Sequence, residues 1–148
     1  MPVNEQSVGR VYPPTAPYGV SAAKIRECAE AVGAPDPAHV DAAAAQALGY
    51  RDVIAPPTFA VLIAQQCDAQ FVTDPEMGVD FTRVVHGQQT FVHHRPLTAG
   101  DAVVGVLHVD AVKVVAGNAM VTTRTELTVD DQPVCTSTSM LVVRGDQS

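Results

Sequence analysis

Beyond residue 83 the chain consists of four long runs in which Val and Thr alternate with small or polar residues: 84–94, 102–115, 119–129 and 134–143. β-branched side chains lose little freedom in an extended backbone and pack well on a pleated surface, so each run reads as a strand. Gly100-Asp101, Gly117-Asn118 and Asp130-Asp131 separate the runs with residues suited to tight turns. Short connections of this kind join antiparallel neighbours, which commits the second half of the chain to an antiparallel sheet.

The first half has a different periodicity. Ser21 is placed to cap a helix over 22–32, with Glu27 and Glu30 outward and Ile25, Cys28, Ala29 and Val32 inward. Gly33 ends it, and Pro35 and Pro37 exclude helix immediately afterwards. Asp41 caps a short alanine-rich helix that stops at Gly49. From Pro57 to Phe71 the chain is apolar over most of a helical surface (Phe59, Ala60, Leu62, Ile63, Ala64, Cys67), which requires burial against the sheet. Residues 73–80 read as a loop. Residues 1–20, with Pro13, Pro14 and Pro17, read as an irregular extended lead-in. The expected fold is α+β: a single domain over 1–148, with one long buried helix wrapped by a curved antiparallel sheet.

Composition removes several classes of function. A hydrophobic fraction of 47% with 17% charged residues fits a globular domain. No apolar run approaches the roughly 20 residues that span a bilayer. The opening MPVNEQSVGR lacks a basic stretch followed by an apolar core, so a cytoplasmic location is expected. A net charge of −7 disfavours nucleic acid, whose phosphates need a basic face. Cys28, Cys67 and Cys135 form no CxxC pair and no zinc spacing, and read as reduced thiols. On a regular strand His86 and His94 share a face while His93 points to the other side, so no metal is expected there. No phosphate-cradling glycine loop points to a nucleotide, and no cofactor is expected. Ser137, Thr138 and Ser139 form no nucleophile elbow.

A set of short segments adds a resemblance. Lys24-Ile25-Arg26-Glu27, Ala31-Val32-Gly33, Asp36-Pro37, Gly49-Tyr50, Ile54 to Phe59, His86-Gly87, Arg95-Pro96 and Ala99-Gly100-Asp101 stand in one colinear order. The chain resembles the MaoC-like hotdog hydratases and dehydratases. Within them it is most similar to the HadA-like group of actinobacterial (3R)-hydroxyacyl-acyl carrier protein dehydratases, and to the N-terminal half of fused MaoC-like dehydratases. The resemblance implies a hotdog fold and a ligand that is an acyl thioester of coenzyme A or acyl carrier protein. It also implies a homodimer, or a heterodimer with a catalytic hotdog paralogue.

Two departures from the family pattern decide the expected role. Active members carry Asp-x-Asn-Pro-x-His, whose Asp and His handle the proton and water at the β-carbon. On this sequence the Asn position is Asp36, the proline is Pro37, the histidine is His39, and the catalytic Asp position is Ala34. Ala cannot move a proton. Active members also open the buried helix with His-Gly, and the glycine N–H polarises the thioester carbonyl. Here Pro56 and Pro57 stand at those positions, and proline has no N–H. Thr58 offers the next one.

The first expectation is therefore a non-catalytic, acyl-binding subunit of a (3R)-hydroxyacyl-thioester dehydratase in fatty-acid metabolism. The alternatives are a homodimeric hydratase or thioesterase using His39 with Asp36, and a non-enzymatic acyl-binding module. Opposed to a catalytic role, Asp36 can simply anchor a turn and His39 can be a packing residue. Pro57, Thr58, His86 and Gly87 are the expected substrate-binding positions, since His86-Gly87 resembles a family segment near the acyl pocket and dimer interface. A carrier would be held by scattered cations such as Arg51, Arg83 or Arg95.

Overall fold

The computed structural model describes residues 3–145. Its helices are α1 (Ala22–Val32), α2 (Ala42–Ala47) and α3 (Ala60–Val72), the last led in by a 3-10 turn, Pro57–Phe59. Its strands are β1 (Tyr18–Gly19), β2 (Val84–His93), β3 (Ala102–Val115), β4 (Asn118–Val129) and β5 (Gln132–Val143). They form one antiparallel sheet in the order β1-β3-β4-β5-β2. The sheet curls around α3, which is the hotdog arrangement.

Strict alternation makes the curl possible. Along β4 every second residue is buried, so Ala119, Val121, Thr123, Thr125, Leu127 and Val129 all face α3. The helix answers with Ala60, Ile63, Ala64, Cys67, Asp68 and Phe71. Around its N-terminal end Phe59 packs with Ile25, Leu97, Val103 and Leu127. Around its C-terminal end Phe71 packs with Met77, Leu107, Val109 and Val121. Between these clusters Gly105 of β3 lies directly beneath Cys67, where any β-carbon would collide with the thiol sulfur. Burial pushes the Cys67 and Cys135 thiols up to about 11, so both remain protonated packing groups.

The lead-in is more ordered than its prolines predict. It runs antiparallel along β3, with Gly9 N, Tyr12 N and Thr15 N donating to the carbonyls of Val109, Leu107 and Gly105 before β1 pairs with Ala102 and Val103. An edge segment needs only some of its N–H groups, so Pro13, Pro14 and Pro17 fit where a central strand would reject them. The hairpin between β3 and β4 also sits one residue earlier than expected. Val115 pairs with Asn118, so the turn is Ala116-Gly117, both at positive φ. Asn118 instead uses its side chain to accept the Gly145 N–H. Val32 is 57% exposed and lines an open groove beside α3 rather than the core.

The largest departure lies in β2. Gly87 is a bulge: His86 pairs with Leu141, and the next pair is Gln88 with Met140. The extra residue inverts the alternation beyond it. His93 therefore pairs with the buried Cys135 and shares the inner face with His86, contrary to the expectation for a regular strand.

The β2–β3 connection is held by one carboxylate. Asp101, whose side chain is fully enclosed, accepts from Arg51, from both terminal nitrogens of Arg95 and from Thr98 N at 2.8–3.2 Å. Burial pushes its pKa up, but the Arg95 hydrogen bonds, the Thr98 N–H and the two guanidinium charges outweigh that and hold it below the usual range. The braced strip 97–99 pairs with 53–55 through Ala55 N to Leu97 O and Ala99 N to Val53 O.

A Gly105→Ala substitution is expected to destabilise by about 1–3 kcal/mol, the usual penalty for overpacking. That corresponds to roughly 2–4 °C in Tm for each kcal/mol, and a calorimetric scan reads it. Asp101→Asn is expected to cost about 2 kcal/mol at neutral pH through weakened charged hydrogen bonds. A depressed native pKa contributes stability that is complete above about 3.9 and is lost as pH falls through the native value. The gap between wild type and Asp101→Asn should accordingly narrow below about pH 4 in urea titrations. A gap independent of pH would remove Asp101 ionisation from the account.

Candidate functional site

The turn between α1 and α2 places the histidine. Gly33 takes the left-handed conformation, φ 69°, while its N–H and that of Ala34 close back on Glu30 O and Ala29 O. This locks Ala34 beside the helix end with only a methyl group to offer. Asp36 then caps the single 3-10 turn Pro37–His39, its carboxylate accepting Ala38 N at 2.9 Å. His39 swings inward, is 7% exposed, and places Nδ1 2.7 Å from Ile54 O. A carbonyl can only accept, so Nδ1 carries the proton and Nε2 is the nitrogen left to take one.

The His39 ring lines a cleft of about 460 Å³ that also includes Asp36, Pro57, His93, Arg95 and Leu97. Ile54, Ala55 and Leu97 of the paired strips 53–55 and 97–99 also line it, and through Thr98 the Asp101 brace holds the strip that carries the His39-orienting carbonyl. Asp36 and His39 share this cleft, but among the described residues no side-chain hydrogen bond joins them. The Asp36 carboxylate is turned to its own backbone cap.

The start of α3 forms the opposite wall. Pro57 is exposed and presents its carbonyl, which accepts from His93 Nε2 at 2.8 Å. That bond leaves His93 Nδ1 as a buried acceptor without a partner among the described residues. The ring also stacks on Phe91 at 5.8 Å between centroids. Thr58 carries the first N–H of the helical run, because Pro56 and Pro57 have none. The cleft therefore offers imidazole acceptors from His39 and His93 and one displaced helix-terminal donor.

His93 escapes a reading from sequence because only the Gly87 bulge turns it inward. Its sole local signal is a glycine inside a strand. His86 and Gly87 stand at the end of β2 away from Pro57 and Thr58. There His86 lines a second cavity of about 550 Å³ with Asp68, Val72, Val84 and Leu141. Arg95 lines the first cleft and shares Asp101 with Arg51, whereas Arg83 lies at the other end of the sheet, bonded to Gly145 O.

Comparison with known proteins agrees with this architecture. Residues 6–137 match the family model of the FAS1-like dehydratase domain region. A UPF0336 protein of Saccharopolyspora erythraea is 53% identical over 146 residues, 98% of this chain and 94% of that protein. A Streptomyces coelicolor UPF0336 protein is 47% identical over 98% of this chain and 97% of its own. Among solved structures, the HadBC (3R-hydroxyacyl-ACP dehydratase) complex from Mycobacterium tuberculosis superposes with a TM-score of 0.82 at 30% identity, covering 92% of this chain and 96% of that one. A MaoC-like dehydratase gives 0.88 at 33% identity over 95% of this chain, which spans 43% of that longer protein. The chain belongs to the FAS1-like dehydratase family, within the MaoC-like hotdog proteins.

Proposed function

We propose that this protein is the non-catalytic, acyl-chain-binding subunit of a (3R)-hydroxyacyl-thioester dehydratase, paired with a hotdog subunit that keeps both acid and base. The observation that carries this reading is the His39 cleft, which holds an oriented base whose neighbouring carboxylate, Asp36, is engaged by its own backbone cap and makes no hydrogen bond to it among the described residues. Reversible dehydration moves a proton off the α-carbon and delivers one to the leaving hydroxyl, so a lone acceptor completes only half of it. Absence of a general acid costs roughly 10²–10⁴-fold in rate. Absence of an oxyanion donor costs roughly 10²–10³-fold more. Ala34 removes the first and Pro57 displaces the second.

The sheet supports a paired assembly. Among the described residues nothing pairs with the outer edge of β2, where Val85 and Val92 are exposed. An open apolar edge strand invites a neighbouring chain. The HadBC relative is itself a complex, in keeping with a two-subunit enzyme. The ligand is then an acyl thioester on coenzyme A or acyl carrier protein. Its chain lies between α3 and the inner face of β2, with Thr58 and Pro57 at the mouth.

The competing reading is a homodimeric hydratase in which His93 supplies the second proton-handling group, favoured by its unpartnered Nδ1. Enoyl-thioester hydration by the purified protein alone, followed as loss of the conjugated thioester absorbance, separates the two. Turnover no greater than that of His39→Ala is expected. Clear turnover that His39→Ala abolishes would sink the silent-subunit reading in favour of the homodimeric enzyme.

A further inference from the structure

The cavity beside the C-terminal half of α3 is separate from the His39 cleft, with which it shares no lining residue. It holds about 550 Å³, enough for a small organic molecule. Val72 of α3, Val84 of β2 and Leu141 of β5 give it apolar walls, and Phe81, 74% exposed, stands at its rim.

One carboxylate is set into these walls. Asp68 is 7% exposed, sits on the face of α3 that is otherwise Ala, Ile, Cys and Phe, and has no Lys or Arg partner among the described residues. Its Oδ1 accepts the Thr123 hydroxyl at 2.7 Å. Its Oδ2 has no hydrogen-bond partner among the described residues, yet it is not sealed off, since the buried side-chain atoms left unpartnered there are Ser7 Oγ and His93 Nδ1. Oδ2 therefore opens on the cavity. Burial pushes the Asp68 carboxyl up, and the neighbouring hydroxyls and His86 offset only part of that. Tying α3 to Thr123 of β4 requires only a neutral acceptor, such as an amide oxygen. The charge serves no such contact.

The polar groups around Asp68 are satisfied among themselves. His86 Nε2 lies 3.0 Å from Gln89 Oε1, an oxygen that can only accept, so Nε2 is the donor and the neutral ring keeps an acceptor at Nδ1. Ser139 Oγ donates to the same oxygen at 2.7 Å. Gln89 Nε2 in turn donates to Ser137 Oγ and to Thr138 O. The donors of the cluster are thus committed within it. An occupant of the cavity meets acceptors instead, Asp68 Oδ2 and the amide oxygen of the exposed Gln65.

That set selects the occupant. An anion would be repelled by the carboxylate, and a hydrocarbon would desolvate it and return nothing. A metal ion needs several ligands, and no three His, Cys, Asp or Glu side chains gather to hold one among the described residues. A primary ammonium on an apolar body matches each feature. Its N–H groups meet Oδ2 and Gln65 in charge-assisted hydrogen bonds, and its body lies against Val72, Val84 and Leu141. The net charge of −7 also favours the approach of cations.

We propose that the Asp68 cavity binds small primary alkylamines as their ammonium ions, with an N–H bonded to Asp68 Oδ2. The site stands apart from the acyl-binding reading, because it uses none of the residues of the His39 cleft.

Calorimetric titration of the purified protein near neutral pH with n-hexylamine, 1-hexanol and hexyltrimethylammonium tests it. The alcohol lacks the charge and the quaternary ion lacks the N–H. The primary amine is expected to bind about tenfold more tightly than either. Asp68→Asn keeps an acceptor for Thr123 and is expected to abolish that preference. Amide NMR shifts induced by hexylamine in the wild type are expected to centre on Asp68, Val72, Val84 and Leu141. They locate the site whether or not the variant folds. Binding of the amine no tighter than that of the alcohol overturns the proposal. Equal binding of the quaternary ion overturns it as well, by reducing the effect to net charge. A preference that survives Asp68→Asn, or shifts centred elsewhere, overturns it by placing recognition at another surface.

Discussion

The seating of α3 in the curl of the sheet is the contact on which the rest of the structure depends. It is close because Gly105 carries no side chain beneath Cys67, and it is long because β4 presents an inward residue at every second position. The helix cannot fill the whole concavity, since one cylinder against a curled sheet leaves gaps along its flanks. Those gaps become the His39 cleft at one end, the Asp68 cavity at the other and the α1–α3 groove on the opposite flank. The cavities are thus consequences of the packing, and their chemistry depends on which residues the sequence places along their walls.

At the His39 end, the backbone still does what an acid–base site needs. The Schellman closure after α1, the Asp36 cap and the Ile54 carbonyl together fix one imidazole tautomer. The Asp101 brace keeps that carbonyl in place from behind. Ala34 sits directly after the left-handed Gly33, with its N–H bonded back to Ala29 O, and offers only a methyl group there. The non-catalytic role proposed above needs such a scaffold, because it orients a base while leaving the place beside it to a methyl group. Firm structure is also what an interface needs, and β2, whose His93 lines the cleft, is the edge strand of the sheet.

Much of this was legible in the sequence, for physical reasons that are local. Caps, glycine terminators and period-two strands depend on residues within a few positions, so α1, α2, the start of α3 and the four long strands fall where Ser21, Gly33, Asp41, Pro57 and the Val/Thr runs put them. The spacing of Asp36, Pro37 and His39 likewise survives as one turn. What could not be read depended on pairing. The lead-in is a sheet edge only because β3 is there to pair with it, and its prolines hide the fact. His93 faces inward because one glycine bulge inverts the strand beyond it, a change that no count of alternation detects.

Asp68 is the sharpest case of that limit. In sequence it is a charged residue amid an apolar helical run, and no local signal marks it as buried. The structure buries it, because its partner Thr123 lies 55 residues away on a strand that shares no local signal with α3. Sequence conflicts of this kind, where local preference and tertiary placement disagree, concentrate at sites that serve a ligand rather than the fold. In this chain the conflict at Ala34 and the conflict at Asp68 point in complementary directions. One leaves only a methyl group beside the turn that carries His39, and the other buries a carboxyl on the wall of a separate cavity.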